Sequence, residues 1–314
     1  VTSPEFRSGT RGIPPSSADP APARLTVGIV SAGRVGTALG EALERVGHVV
    51  FGCAAVSEES KERVRTRLPD SQILPVDEVA RRAELLILAV PDNELASIAA
   101  GLAATGVVAR GKLVVHTSGA NGIGILAPLA AQGAIPLAIH PAMTFTGGPE
   151  DTDRLAAACF GITAADEIGY AVAQALVLEL GGEPVHVSEE NRALYHAALA
   201  HGSNHLVTLV ADAVDALRVA LDGPGFPGID SEPEAAQRVL GPLVRAALDN
   251  ALRHGQSALT GPVARGDVAA VQKHLDVLSD VDPAIAAGYR ALSLRSAQRM
   301  GSKPELIEIL EGEL

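Results

Sequence analysis

Hydrophobic positions follow two rhythms along this chain. From Leu25 onward, short apolar runs rich in β-branched residues recur at Leu25–Val30, Val49–Ala54, Gln72–Leu74, Leu85–Val90, Leu113–Thr117, Ile135–His140, Cys159–Thr163 and Pro184–Val187. Helical patterns of about ten to fifteen residues separate them, an alternation that predicts right-handed βαβ units and a doubly wound parallel sheet covered on both faces. Near Ser188 the strand rhythm stops. The pattern then becomes helical, with one long segment from Glu189 to about Leu221, begun by Ser188 as an N-cap and closed by Asp222-Gly-Pro-Gly. After a Gly/Pro loop, GPGFPGIDSEP, helices are expected over 234–255, 267–278, 283–300 and 304–310. The fold class is α/β: a sheet domain over 24–188, then an all-helical domain over 189–314. Residues 1–23 are rich in Ser, Pro, Gly and Thr and read as a disordered tail.

Composition supports that division. A single core rarely grows past about 250–300 residues, so 314 residues imply two domains. With 47% hydrophobic residues, 3% aromatics and no Trp, the core must be built from Ala, Val, Leu and Ile at close backbone distances. The formal net charge is −12, with 18 acidic against 12 basic residues over 24–188 and 17 against 11 over 189–314. Both halves are equally acidic, which argues against nucleic acid and leaves local arginines to recruit any anionic ligand. Cys53 and Cys159 are too few for a disulfide framework or a cysteine-ligated metal site, so a reducing cytoplasm and no metal are expected. No run approaches the roughly 18 apolar residues of a membrane span, and the N-terminal stretch lacks the apolar core of a signal peptide.

Chemistry enters at the end of the first run. Ser31-Ala32-Gly33-Arg34-Val35-Gly36 has the form of a dinucleotide-binding turn with serine in place of the first glycine, followed by an amphipathic helix and a second strand at the expected distance. Gly33 would let backbone N–H groups reach a pyrophosphate, and Gly36 would let helix and strand pack closely. A Cβ at Ser31 should strain or shift the turn. This context predicts a Rossmann-type domain that binds NAD or NADP. After the second strand, Ser57, Ser60 and Lys61 favour the 2′-phosphate of NADP, whereas Glu58 favours NAD; a plain solvated turn is the alternative, and the lean is slightly to NADP. Other strand ends add Val90-Pro91-Asp92-Asn93, His116-Thr117-Ser118-Gly119 and His140-Pro141 at the carboxyl edge, where open α/β sheets bind ligands. Val90, Pro91, Thr117 and Ser118 join the cofactor-contact set, although Asp92 and Ser118 serve equally well as helix N-caps.

The long helix carries His196, His201, Ser203 and Asn204. At about 100° per residue, His196 and Ser203 fall within about 20° of each other and Asn204 about 80° from His196, so one cleft-facing stripe holds all three. His201 is a second candidate; the alternative for each is a helix-surface residue. Downstream, ALTGPVARGD joins two helices, with Asp267 a natural N-cap. Thr260 could donate a hydrogen bond to substrate, and Arg265 could hold a carboxylate or phosphate.

Taken together, SAGRVG, AVPDNEL, HTSGA, HPAMTF, YHAALAHGSN and especially ALTGPVARGD followed by His274-Leu275 resemble bacterial Rossmann-like proteins with a C-terminal domain of unknown function 2520. The resemblance runs from about Leu25 to Leu278. More distantly, the layout is similar to pyrroline-5-carboxylate reductases, 2-dehydropantoate reductases and 6-phosphogluconate or β-hydroxyacid dehydrogenases. It implies an NAD(P)-dependent oxidoreductase, usually a homodimer, acting on a small-molecule substrate between the two domains. One departure stands out: the β-hydroxyacid dehydrogenases and 2-dehydropantoate reductases place a catalytic lysine three or four residues before an asparagine on this helix, and here Ala200 and His201 precede Asn204.

The expectation is hydride transfer between NADP(H) or NAD(H) and a small polar carbonyl, imine or hydroxy acid. His196, with His140 as the alternate, would exchange the proton; Asn204 with Ser203 or Thr260 would hold the developing alkoxide. Two rivals stand beside it: a 2-dehydropantoate reductase specifically, and a nucleotide-binding sensor that has lost the chemistry.

Overall fold

The computed structural model describes residues 24–222 and 234–312; the expected tail and most of the Gly/Pro loop, 223–233, lie outside the described residues. Strands β1 (Thr26–Val30), β2 (Val49–Ala54), β3 (Gln72–Ile73), β4 (Leu85–Leu88), β5 (Leu113–His116), β6 (Ile135–Pro141), β7 (Cys159–Ala164) and β8 (Glu183–His186) match the eight apolar runs to within two residues at most ends. Helices α1 (Arg34–Arg45), α2 (Glu58–Arg67), α3 (Val76–Arg82), α4 (Asp92–Thr105), α5 (Ala127–Ala130), α6 (Glu150–Leu155) and α7 (Glu167–Glu179) lie between them. Then follow α8 (Arg192–Leu221), α9 (Ala235–His254), α10 (Pro262–Arg265), α11 (Val268–Val281), α12 (Pro283–Met300) and α13 (Pro304–Glu311).

The chain separates into two compact units, 1–197 and 198–314. In the first, one eight-stranded sheet runs in the order β3-β2-β1-β4-β5-β6-β7-β8. Strand side chains alternate between two apolar layers. Val27, Ile29, Leu85, Ile87, Leu137 and Ile139 pack with α1, α2 and α7, whereas Val30, Leu86, Leu88 and Val114 pack with α3, α4 and α5. This is the covering on both faces that the continuous apolar runs require.

The sheet departs from the all-parallel expectation at one place. β7 pairs antiparallel to β6, and β8 continues parallel to β7. The chain re-enters the sheet from the edge at which it left, and Ala142 N–H donates to Cys159 O.

The long helix starts three residues later than expected. Glu189–Asn191 form a 3₁₀ turn with Ser188 at its N-cap position, and α8 follows from Arg192. In the second unit, Val263, Val271, Leu275, Ala297, Leu306 and Leu310 form a small core among α10 to α13. Asp267 caps α11 as expected, accepting from Ala270 N–H. The ALTGPVARGD connection contains one extra helical turn, α10, bounded by Gly261 at φ +89° and Gly266 at φ +69°. Among the described residues, no helix is long and apolar enough to cross a membrane.

Candidate active site

β1 delivers the glycine turn between its neighbours β2 and β4, where the strand order reverses direction. Ser31 and Ala32 both donate their N–H groups to Ala54 O, at 3.0 and 3.2 Å. Ser31 adopts φ +73°, the one non-glycine residue with positive φ among those described. The turn thus keeps its shape, and the strain anticipated from the Cβ stays within Ser31. Gly33 is the N-cap of α1 and supplies no side-chain cap, so the first N–H groups of the helix stay open to a ligand. A Cβ on Gly33 would have only Ser31 Oγ, 3.7 Å away, within contact range. A Cβ on Gly36 would strike the Ser31 carbonyl oxygen and stand 3.1 Å from both Ala89 Cβ and Ile29 Cγ2. The two glycines therefore have different jobs: Gly36 allows packing, and Gly33 keeps space open above an uncapped helix end. Ala32 is buried and Val35 half-buried, while Arg34 is exposed and donates to Phe145 O at 3.4 Å, which brings the loop after β6 beside the turn.

At the end of β2, the residues expected to choose between cofactors engage one another. Ser57 caps α2 by accepting from Ser60 N–H, Ser60 Oγ donates to Ser57 O, and Lys61 Nζ pairs with Glu58 at 2.7 Å. That pair holds the Glu58 carboxyl below its ordinary range. Lys61 and Glu58 balance each other, and Glu59 leaves the Ser57–Lys61 turn with one net negative charge.

The carboxyl edges of β4, β5 and β6 hold the titratable groups. Val90 is half-buried, Pro91 is exposed and takes the N-cap position of α4, and Asp92 is the first helical residue rather than the cap. Thr117 is half-buried and donates its N–H to Leu88 O. Ser118 is a local anchor, its Oγ accepting from Asn121 N–H and Nδ2. His116 is fully buried and fully partnered: Nδ1 accepts from Ser118 N–H at 3.2 Å, leaving Nε2 to donate to Gly122 O at 2.9 Å. Burial pushes its pKa down to about 4, so it is a neutral structural histidine.

His140 and His196 are brought together. Their rings meet edge-to-face with centroids 6.2 Å apart, and Gly119 forms the notch between them. A Cβ on Gly119 would stand 2.6 Å from His196 Cδ2 and 2.9 Å from His140 Nε2. His140 Nδ1 lies 2.9 Å from the Tyr195 hydroxyl. Burial first, and the nearby Arg192 charge second, push the His140 pKa down to about 4. Arg192 is 1% exposed, and Glu189, three residues before it, accepts instead from Ile123 and Gly124 N–H groups. The guanidinium donates to Thr163 Oγ1 at 2.8 Å, to Ala138 O at 3.0 Å and to Gly161 O at 3.3 Å, and its Nη1 has no partner.

Arg192 and Tyr195 escape a reading that looks only for histidines on this helix. Their spacing with His196, at i, i+3 and i+4, is the signal that sets all three on one face. Gly119 was legible only as part of the HTSGA segment.

The remaining expected residues belong to the second unit. Ser203 and Asn204 are exposed, with Ser203 Oγ donating to Asn204 Oδ1 at 3.1 Å. His201 Nδ1 lies 2.9 Å from His205 Nδ1, and with Thr260, His274 and Tyr289 these residues line a cavity of about 1080 Å³ whose remaining wall is mostly Leu, Val and Ala. Arg265 is exposed at the end of α10. Among the described residues, no group of three or more His, Cys, Asp or Glu side chains is placed to hold a metal ion.

A parallel sheet of order 3-2-1-4-5-6 with an uncapped glycine turn after β1 defines a Rossmann-like domain, and residues 12–141 match that family. Residues 158–296 match the domain of unknown function 2520, so the chain belongs to the Rossmann-like proteins that carry this C-terminal domain. No curated protein matches the sequence. Among solved structures, the fold is similar to a candidate NADP oxidoreductase from Bacteroides fragilis: 22% identity over 88% of this chain and 99% of that one, TM-score 0.73. It is also similar to an imine reductase from Myxococcus stipitatus in complex with NAD+ (17% identity, 92% and 100% coverage, TM-score 0.55). Plasmodium falciparum pyrroline carboxylate reductase with NADP bound shares the fold as well (13% identity, 88% and 98% coverage, TM-score 0.55).

Proposed function

We propose that the protein is an NAD(P)-dependent oxidoreductase that transfers a hydride between the nicotinamide and a small polar carbonyl, imine or hydroxy acid. The observation that carries this reading is the uncapped N-terminus of α1 with open space above Gly33. An anionic pyrophosphate fits there, because backbone N–H groups and the helix dipole both favour negative charge. The Ser31–Gly36 backbone would hold it, with Ser57, Val90, Pro91, Thr117 and Ser118 along the rest of the edge. When bound, the nicotinamide supplies or accepts the hydride; the chain supplies position and a proton. His196 and His140, converging on the Gly119 notch, are the proton-exchanging pair. The names carried by the structural neighbours, NADP oxidoreductase, imine reductase and pyrroline carboxylate reductase, support the same class, and NADP is the favoured cofactor. The family resemblance implies a homodimer, and the many exposed leucines and valines of α8 and α9 support one.

Calorimetric titration with NADPH and NADH tests the reading directly. Binding of at least one is expected, with Gly33→Ala weakening it tenfold or more while leaving the melting temperature unchanged, since the added methyl meets only open space. Absence of binding of either cofactor at millimolar concentration overturns it. A nucleotide-binding sensor would instead bind cofactor but show no turnover dependent on His196 or His140.

A further inference from the structure

The cluster beneath the Gly119 notch contains a buried guanidinium whose hydrogen bonds go to carbonyls and a hydroxyl and never to a carboxylate. Buried charges are normally paired, because an isolated one is costly to desolvate. Arg192 stands 5.7 Å from the centre of the Tyr195 ring, and the Tyr195 hydroxyl is the partner of His140 Nδ1. We propose that Tyr195 positions His140 in the tautomer protonated at Nε2, so that Nε2–H faces the Gly119 notch as the donor to a carbonyl oxygen or imine nitrogen, with Arg192 as the counter-charge for the phenolate left when the proton moves. The inference rests on the oxidoreductase reading above and names the proton route within it.

Geometry orients the pair. The Tyr195 oxygen lies against the Gly161 backbone, whose N–H favours the phenolate form, so the phenolic O–H is left to donate toward His140 Nδ1. A ring that accepts at Nδ1 carries its proton on Nε2. Nε2 lies on the side of Gly119, where a Cβ would come within 2.9 Å of it. The charged and titratable groups acting on His140 are Arg192 and His196 from α8, Asp92 from α4 and His116 from β5. Burial, Arg192, His196 and His116 favour the neutral ring, and Asp92 alone opposes them. His140 is thus a neutral donor at working pH, and not an imidazolium.

The proton balance follows. As the substrate carbon is reduced, its oxygen or nitrogen gains the electron pair of the former double bond and takes the proton from His140 Nε2. Nδ1 takes the Tyr195 hydroxyl proton, and the phenolate formed faces Arg192. Once product leaves, solvent reprotonates Nε2 and the Nδ1 proton returns to the Tyr195 phenolate, which restores the starting tautomer. Burial raises the Tyr195 pKa while Arg192 lowers it, and the phenolate in turn favours the charged guanidinium.

Histidine nitrogen correlation spectra of the ligand-free full chain test this without relying on turnover, with His140 assigned by the signal lost in His140→Gln. The expected result is a pure Nε2–H tautomer that does not titrate between pH 8 and about 5. In Tyr195→Phe, which removes only the hydroxyl, the tautomer becomes mixed and kcat falls about ten- to a hundredfold with KM nearly unchanged. Arg192→Met should move the Tyr195 phenolate absorbance to higher pH, and Arg192→Lys should restore part of that shift. An Nδ1–H tautomer in the unmodified chain, or a Tyr195→Phe variant with unaltered tautomer and kcat, overturns the inference. A chain that binds NADPH with His140 unlocked loses this proton route alone; one that shows the lock but binds neither cofactor loses the oxidoreductase reading and with it the route's purpose.

Discussion

In the sheet unit, all four residues of β4 are buried, and the apolar layers on either side of the sheet are closed by helices that the same unit supplies. On α9, by contrast, Ala236 is the one buried residue, while Val239, Leu243, Leu248 and Leu252 are 44–78% exposed. Val239 and Leu248 lie on opposite sides of that helix, about 180° apart at about 100° per residue. A helix that is apolar on opposite sides is stable only when covered on both. The first unit closes both faces of its sheet with its own helices, and the second presents apolar surface that its own small core leaves uncovered. Buried apolar side chains are therefore concentrated in the first unit and uncovered helical apolar surface in the second.

Truncating a core side chain on each side of this contrast should have the largest effect. Phe160→Ala, which empties a fully buried site in the sheet, is expected to cost about 3–5 kcal/mol, whereas Leu252→Ala should cost under about 0.5 kcal/mol in the isolated chain. Urea titration at low protein concentration measures both. Equal costs would break the comparison.

Acidification is the next lever, and it acts on the first unit. His116 and His140 are held neutral with pKa values of about 4, below the ordinary 6.5, so the unfolded chain binds more protons between those values. Stability is fully present above pH 6.5 and falls as pH drops toward 4, each histidine accounting for about 3 kcal/mol at most. Melting curves from pH 7 to pH 4 should show this loss, and His116→Gln should flatten its slope. A pH-independent melting temperature across that window contradicts the burial assigned to both rings.

These effects rest on features of unequal legibility. The central strands announce themselves as apolar runs because burial on both faces leaves few polar positions to blur them, whereas the edge strands β3 and β8 are largely exposed and carry Gln72, Glu183 and His186. Strand direction does not announce itself, since the run Cys159–Thr163 reads the same either way and the 142–158 connection is as long as the 55–71 connection that joins the parallel strands β2 and β3. His140 and His196 are visible as isolated titratable residues at a strand end and on a helix. Tyr195 and Arg192 are not, because an arginine in the first turn of a helix ordinarily reaches water. Only the packing of that turn over β6 and β7 buries it. Asp267 is legible as a cap because the hydrogen bond that defines a cap lies within three residues, and Ser57, expected beside the cofactor ribose, caps α2 by the same local geometry.

Association should respond to changes that leave the sheet untouched. Leu248→Glu or Leu252→Glu places a charge on the exposed apolar surface of α9. Light scattering should then show self-association weakened a hundredfold or more, about 2.7 kcal/mol by the tenfold-per-1.4 relation. The melting transition of the sheet unit should barely move. A monomeric parent chain would show that the uncovered surface serves something other than a second copy.

The smallest expected effect lies at the glycine turn, and it bears on why a serine stands there. Holding an L-residue in the left-handed region costs about 1–2 kcal/mol, and Ser31 at φ +73° bears that cost. Ser31→Gly removes the strain but returns about 0.5–1 kcal/mol of backbone entropy to the unfolded chain, so the net stabilisation should be under about 1 kcal/mol. Thermal denaturation should show the midpoint rising by a few degrees or less. The cofactor titration then separates two explanations for the residue. If Ser31→Gly is more stable and binds NADPH as tightly, the side chain is a tolerated substitute for the usual glycine. If it is more stable but binds more weakly, the hydroxyl, whose Oγ is the one atom within contact range of a Cβ on Gly33, takes part in holding the pyrophosphate, and the strain is retained for that contact.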